Sequence, residues 1–525
     1  MMKEKIQKYN LPKNLEVSFD NNVASFEVPV SQIKELVNNL YKNFNLSLKL
    51  VTATDEREED GCFRIWYILG SPKDNIVIIP FIKLKDTIEF PSLSLDIHEI
   101  IDYERKIQTF FGLKPIGHHN ARSIILHENW PKNLFPLRKD FNWQTKPPIA
   151  VNNTYHFQKV KGEGIYEISV GPIHAGIIEP GHFRFSVAGE SIMLLEPRLG
   201  FTHKGSEKLF EVLPLAEKIH LSEKISGDSS FSHSLAFCQA LEQLSDTNVP
   251  KRALCLRVIY SELERLANHF GDIGAIMLDT GFNFGGAQGS RLRENIMQIN
   301  ERITGSRFLR GVNIVGGVIT DISEQENNIL TDDLSNIAED FSEIVDIVDN
   351  NASLLNRLEG TGVITFETAK DCGVIGVAGK AIGISSDARV NYPYAMYNEL
   401  EFDEIATEKS GDVYARFRVR IKEVRSSIKI IQNALSKLPT GNINTHNSDI
   451  SFKKNAFAVS VVEGWRGDIV YFVKTDSCGN ISRVAPRDAS FTNWAVLKDA
   501  GYDNVVPDFP LINKSFNLSY SGNDL

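Results

Sequence analysis

Runs of alternating and helically spaced apolar residues divide the chain before any chemistry is considered. Val17 to Val28 alternate as strands do, and Leu46 to Val51, Phe63 to Leu69 and Asn75 to Ile82 are strand-like. Polar turns at 54–61 and 70–74 separate them. Ile33, Leu36, Val37, Leu40 and Tyr41 fall on one face of a helix over 31–44. These elements predict a small α/β unit over residues 1–145. Its exit carries Tyr103-Glu104-Arg105, Phe110-Phe111-Gly112, Trp130-Pro131 and Pro136-Leu137-Arg138-Lys139-Asp140-Phe141. On pattern alone, Phe110-Phe111-Gly112 reads as a core edge followed by a turn. Residues 146–154, which include Pro147-Pro148, form the expected linker.

Residues 155–525 open with a β-rich segment, in which Val187 to Leu195 reads as a strand ending at Glu196-Pro197. The pattern then becomes helical, over Leu209 to Glu223 and Ser232 to Leu244. Pro250 starts a helix whose Leu254, Val258, Leu263 and Leu266 make an apolar stripe. Leu292 to Ile303, the acidic stretch 321–359 and Tyr414 to Leu438 continue the helical pattern. Phe284-Gly285-Gly286-Ala287-Gln288-Gly289 lacks the Gly-Lys-Ser/Thr ending of a phosphate loop and is predicted to be a turn. Phe457 to Val473 and Ile481 to Val484 read as strands around Glu463-Gly464-Trp465-Arg466-Gly467-Asp468. The expected fold class is therefore α+β: a small N-terminal α/β domain, then a mainly helical domain with a β segment at its start.

Charge and cysteine usage narrow the function. A net charge of −10 without a basic run argues against nucleic-acid binding. No apolar run approaches the roughly 20 residues that cross a bilayer, so a membrane link is expected to go through partners. The N-terminus lacks the apolar core of a signal peptide. The five cysteines, Cys62, Cys238, Cys255, Cys372 and Cys478, include no Cys-x-x-Cys pair. That spacing argues against a thiolate-rich metal site.

Candidate chemistry concentrates between Gly171 and Glu242. Gly-Pro-Ile-His-Ala-Gly-Ile-Ile-Glu-Pro-Gly-His-Phe-Arg-Phe spans 171–185, and His203-Lys204-Gly205-Ser206-Glu207-Lys208 follows. Ser226-Gly227-Asp228-Ser229-Ser230-Phe231-Ser232-His233 completes the set. Five of the twelve histidines, 174, 182, 203, 220 and 233, lie in this stretch.

In their order along the chain, these motifs resemble the large subunit of energy-converting nickel-iron hydrogenases of the hydrogenase-4 and formate-hydrogenlyase type. They equally resemble the homologous C and D subunits of the peripheral arm of respiratory complex I, fused in one chain. The resemblance implies a complex I small-subunit-like domain over 1–145 and a hydrogenase-large-subunit-like domain over 155–525. It implies an iron–sulfur small subunit and antiporter-like and other membrane-arm subunits as partners, at the cytoplasmic face of the inner membrane. It also implies an iron–sulfur cluster in a partner, a quinone or another acceptor, and NAD only through the wider complex.

In the active hydrogenases, four cysteines hold nickel and iron. Here those positions fall on Ser226, Ser229, Ser519 and Gly522, and a serine hydroxyl cannot replace a thiolate for so soft a site. The expected variant has no nickel-iron centre. By the same resemblance His182, or His174, corresponds to the quinone-binding histidine of complex I, while the quinone-binding tyrosine falls on Gly227. Glu179 corresponds to a proton-passing glutamate, with an ion pair to Arg184 as the alternative role. His233 either relays protons or completes a hydrogen-bond network. Arg466 points to the cavity or pairs with Asp468 or Glu463. His203, Lys204 and Glu207 are expected to fix the helix bundle. Two functions stay open: electron transfer to an acceptor with ion translocation, catalysed through Glu179, His182, His233 and Arg466, or a non-catalytic coupling role within such a complex.

Overall fold

The computed structural model describes residues 2–12, 15–151, 154–175, 178–445 and 450–525. Asn152 and Asn153 of the expected linker, and Gly176 and Ile177 of the first histidine-bearing motif, lie outside the described residues.

The N-terminal unit is a five-stranded sheet flanked by helices. Its elements are β1 (Ser18–Asp20), β2 (Val23–Glu27), α1 (Ile33–Asn38), β3 (Ser47–Glu56), β4 (Cys62–Ser71), β5 (Ile76–Leu84) and α2 (Ile101–Phe111). The strands lie in the order β1-β2-β5-β4-β3, with only β2 and β5 parallel. α1 buries Ile33, Leu36 and Val37, the face its spacing predicts. α2 buries Tyr103, Ile107, Phe110 and Phe111 and stops at Gly112, whose φ of 71° suits glycine. The polar turn expected over 54–61 is shorter, because β3 continues to Glu56. The sheet accommodates those polar residues by pairing them: Thr54 accepts the Trp66 indole N–H at 3.0 Å, and Arg57 pairs with Asp55.

A three-stranded antiparallel meander opens the second unit: β6 (Ile165–Val170), β7 (His182–Ala188) and β8 (Ser191–Arg198). The single strand expected over Val187–Leu195 is thus two strands. The chain reverses at Gly189, φ 62°, and apolar alternation resumes directly after the two-residue turn. The helices follow as α3 (Ser206–Val212), α4 (Leu215–Ser222), α5 (Ser230–Ser245), α6 (Lys251–Asp279), α7 (Asn283–Thr304), α8 (Glu324–Asp349) and α9 (Val413–Ser436). Pro214 splits the predicted 209–223 helix in two. The glycine-rich 284–289 stretch is the first turn and a half of α7 rather than a turn. Its glycines serve packing: a Cβ on Gly289 would stand 2.5 Å from Gly274 Cα, so α6 and α7 touch backbone to backbone. None of the helices among the described residues is long and apolar enough to cross a membrane.

A second antiparallel sheet, β9 (Phe457–Gly464), β10 (Gly467–Thr475) and β11 (Ile481–Arg487), precedes α10 (Phe509–Phe516) and α11 (Tyr520–Asp524). One of its faces packs on α5, and the other completes the core of the N-terminal sheet. Val459, Val461, Val470, Phe472 and Ala485 cluster there with Trp66, Leu50 and Phe26. Polar ties run alongside. Lys49 donates to Asp468 at 2.6 Å, and Arg487 and Arg483 donate to the carbonyls of Lys49 and Ala53 at 3.0 and 3.1 Å. This shared core holds the β9–β10 hairpin, and Arg466 at its tip, in place.

Candidate functional site

Ser226 and Ser229 lie in the turn entering α5, and Ser519 caps α11, its hydroxyl accepting the Gly522 N–H at 2.9 Å. The fold brings all four positions together. Ser226 and Ser519, 293 residues apart, stand with their hydroxyl oxygens 2.8 Å from each other. Ser226 also donates to Asp228 at 2.8 Å. A Cβ on Gly522 would lie 2.8 Å from Cγ of Asp488, so the fourth position is closed to any side chain unless Asp488 shifts.

Arg466 reaches the same turn from the β9–β10 hairpin. Its two terminal nitrogens donate to the two carboxylate oxygens of Asp228 at 2.7 and 2.6 Å, a bidentate pair. It also donates to Ser226 at 3.3 Å and to the carbonyl of Asn517. Its guanidinium lies 3.9 Å from the centroid of the Trp465 ring, and the Trp465 indole donates to the Asp228 carbonyl at 3.1 Å. Burial opposes the charged form of Asp228. The adjacent guanidinium outweighs it and holds the carboxyl below its ordinary range. Neither Asp468 nor Glu463, the partners expected for Arg466, is its counter-ion: Asp468 pairs with Lys49 and Arg487, and Glu463 with Lys380.

His233, fully buried on α5, is hydrogen-bonded through both ring nitrogens: Nδ1 to the Tyr471 hydroxyl and Nε2 to Asp488, each at 3.0 Å. Burial pushes the Asp488 carboxyl up, but the hydrogen bond from His233, with Arg466 and the Ser490 N–H beside it, holds it far below the ordinary range. This arrangement is a satisfied network, linked to Arg466 through Asp488.

Glu179 approaches from the first β-turn region. Its Oε2 accepts the N–H groups of Tyr520 and Ser521 at 3.0 and 3.2 Å, at the first turn of α11. The expected ion pair with Arg184 does not form, because Arg184 pairs with Glu167 across β6 and β7 at 2.9 Å. Tyr520 packs against Gly181, and burial raises its phenol to about 12. His182 stands at the start of β7, where its ring packs on Phe157, and the His174 ring packs on Phe183. His174 Nε2 is 2.7 Å from the Gly181 carbonyl. His182 Nδ1 is 3.4 Å from that of Gly171, and burial lowers the ring's pKa, leaving a neutral imidazole. The buried Nε2 of His182 has no hydrogen-bond partner among the described residues. His203 Nδ1 lies 2.7 Å from the Asp524 carbonyl, and Glu207 joins Lys106 and Arg483, both structural ties.

Of the four positions, Ser226 and Ser229 thus meet Arg466 directly, Ser519 joins them through Ser226, and Gly522 lies against Asp488, the partner of His233. Glu179 reaches them through the α11 backbone, and the two histidines of the first motif remain apart. Pattern reading missed Asp228, Asp488, Tyr471 and Tyr520. Asp228 was the accessible one, an acid placed between two serines where the arginine needed a counter-ion. A nickel-iron centre of the hydrogenase kind does not fit this donor set. Three hydroxyls are engaged with one another, with Asp228 and with a backbone N–H, and the fourth position has neither donor nor space for one.

Sequence comparison is informative over nearly the whole length. Residues 26–147 match the family profile of the respiratory-chain NADH dehydrogenase 30 Kd subunit, and residues 279–524 match that of the 49 Kd subunit. Formate hydrogenlyase subunit 5 of Escherichia coli (strain K12) is 32% identical over 504 residues, 95% of this chain and 88% of that protein. Hydrogenase-4 component G of the same organism is 32% identical over 507 residues, again 95% and 88%. The C/D subunit of NADH-quinone oxidoreductase from Phocaeicola vulgatus is 28% identical over 469 residues, 86% and 89%. The chain belongs to the family that unites these formate hydrogenlyase and hydrogenase-4 proteins with the fused C/D subunit of NADH-quinone oxidoreductase.

Proposed function

We propose that this chain is a peripheral-arm subunit of a membrane-associated oxidoreductase complex of the complex I and hydrogenase-4 kind, working without a nickel-iron centre. In this reading an iron–sulfur partner supplies electrons, antiporter-like subunits make the membrane arm on whose cytoplasmic face the chain sits, and a quinone is the acceptor. Reduction of a quinone takes up two electrons and two protons, so the acceptor site needs a polar group for each ring oxygen and a proton source.

His182 carries the reading. Its buried Nε2, unpartnered among the described residues, sits on a ring kept neutral by burial whose Nδ1–H is turned to the Gly171 carbonyl, so Nε2 can accept the O–H of a quinol. Asp228 and Arg466 close the position between Ser226 and Ser229 with an ion pair, which leaves His182 as the group to meet an acceptor. The other reading, a non-catalytic coupling role, is supported by His233 and Arg466, whose polar groups are engaged within the protein.

The test is reduction of a short-chain quinone by the purified complex. With His182→Ala, the quinone KM is expected to rise at least tenfold, on the order of one lost hydrogen bond to a buried group. His233→Gln should leave that KM unchanged. An unaltered KM in His182→Ala favours the coupling role.

A further inference from the structure

Behind the Arg466 hairpin lies a fully buried charge network that the proposed electron path does not use. Lys380 donates to Asp387, Glu423 and Glu463 at 2.6, 2.7 and 3.3 Å. Arg389 pairs with Asp387 at 2.7 Å and with Glu262 at 3.0 Å. Arg265 contacts Glu262 at 3.2 Å and Glu423 at 3.6 Å, and His269 Nε2 is 2.7 Å from Glu423. Each of these side chains is at most 3% exposed. Tyr397 and Ser427 donate to Glu262, and the Tyr394 hydroxyl accepts the Glu463 N–H. Beyond the network, Asp272 pairs with Arg420, and Asp468, which faces Glu463, pairs with Lys49 and Arg487.

The network contains four carboxylates, Glu262, Asp387, Glu423 and Glu463, and three permanent cations, Lys380, Arg265 and Arg389. Buried charge without compensation is costly, so one further proton belongs to the set. Glu262, Asp387 and Glu423 each pair with two of the cations, whereas Glu463 pairs with Lys380 alone among the described residues, which points to Glu463 or His269 as the holder. His269 Nδ1 is buried with no partner among the described residues; a bare lone pair there is tolerable, whereas an imidazolium N–H without an acceptor is costly. Glu463 makes the longest and so the weakest of the three Lys380 contacts and shares that cation with Asp387, and its other oxygen accepts the Ala388 N–H at 2.8 Å.

We propose that Glu463 is a proton-exchange group, neutral in the resting fold, whose ionisation acts on the position of Arg466. The connection is the hairpin itself. Arg265 donates to the carbonyls of Glu463 and Gly464 at 2.8 and 3.0 Å. The next residue, Trp465, stacks on Arg466, faces the His269 ring edge-on at 6.2 Å and holds the Asp228 carbonyl. Ionised Glu463 draws Lys380 and Arg265 towards itself and shifts the hairpin on which Arg466 is mounted. Burial, with Asp387 beside it, raises the Glu463 carboxyl to about 7, against the pull of Lys380. The assignment is independent of which acceptor the complex uses.

The test compares Glu463→Gln with Glu423→Gln in the full chain. Glutamine is the isostere of a neutral carboxyl, so Glu463→Gln should melt within about 2 °C of wild type at low pH. The proton is bound more tightly in the folded state, so wild type loses stability as pH rises from 4.5 to about 7. Glu463→Gln, unable to titrate, should therefore overtake it across that window, and the gap should then level off. Glu423→Gln removes an ionised partner and should melt far lower throughout. Trp465 emission should shift with a midpoint near 7 in wild type and not in Glu463→Gln. A Glu463→Gln protein that fails to fold, or melts as low as Glu423→Gln, shows an ionised Glu463 and overturns the assignment. Emission independent of pH in wild type overturns the link to Arg466.

Discussion

Asp228→Ala is expected to lower the free energy of unfolding by about 2–3 kcal/mol, because it leaves a buried guanidinium without its carboxylate. Breaking a fully buried pair costs more, about 3–5 kcal/mol. The Asp228 side chain is 36% exposed while that of Arg466 is 5% exposed, so water screens part of the loss. The same asymmetry makes Arg466→Met the milder change: the carboxylate it leaves behind can hydrate and keeps the Ser226 hydroxyl. Urea midpoints at unchanged m-value give both numbers. The pair also has a defined pH window. The Asp228 carboxyl is held below its ordinary 3.8, so the contribution is complete above that value and fades as pH falls through the lower folded one. Equal losses for the two variants would mean that Asp228 is not the counter-ion of Arg466 in solution.

Lys380→Met should be the most damaging single change in the molecule, at about 3–5 kcal/mol or outright failure to fold at neutral pH. It leaves Asp387, Glu423 and Glu463 around an apolar side chain, with Arg389 and Arg265 to balance the ionised Glu262, Asp387 and Glu423. Carboxylates deprived of a cation take up protons more readily, so their folded-state pKa values rise. The variant should therefore regain stability as the solution is acidified and lose it as pH rises, opposite to the acid loss expected of the Asp228–Arg466 pair. Thermal melts across pH give the sign directly. A Lys380→Met protein as stable as wild type at neutral pH would remove the basis for counting charges in this network.

Much of the fold was legible because burial imposes its period on the sequence. Of the stripe Leu330, Leu334, Ile337, Phe341, Ile344 and Ile347, the first five are buried on α8 while Ile347, near its end, is exposed, and Tyr414 to Leu438 is one helix, α9, to within two residues at each end. Reading failed where two periods or two causes share one pattern. Alternation through Val187–Leu195 could not reveal the reversal at Gly189, since a two-residue turn preserves it. Glycines 285, 286 and 289 suggested a turn, but they lie inside a helix, where Gly286 and Gly289 allow close packing against Gly274. In the site, local motifs singled out Ser226 and Ser519 separately, whereas their meeting across 293 residues follows from the fold. Arg466 was assigned counter-ions near it in sequence, whereas the hairpin tip aims it at Asp228 across the bundle. Asp488 and Tyr471 carry no local signature at all; only the packing of β10 and α5 places them on His233.

Family membership and geometry meet in a single claim: the hydrogenase-like fold persists while its metal position is closed by Asp228, Arg466 and three hydroxyls. Elemental analysis of the purified complex tests this most directly, with nickel counted per copy of this chain. Nickel is expected at background level, unchanged when the cells are grown with added nickel. One nickel per chain, retained through gel filtration and lost on unfolding, would contradict the claim.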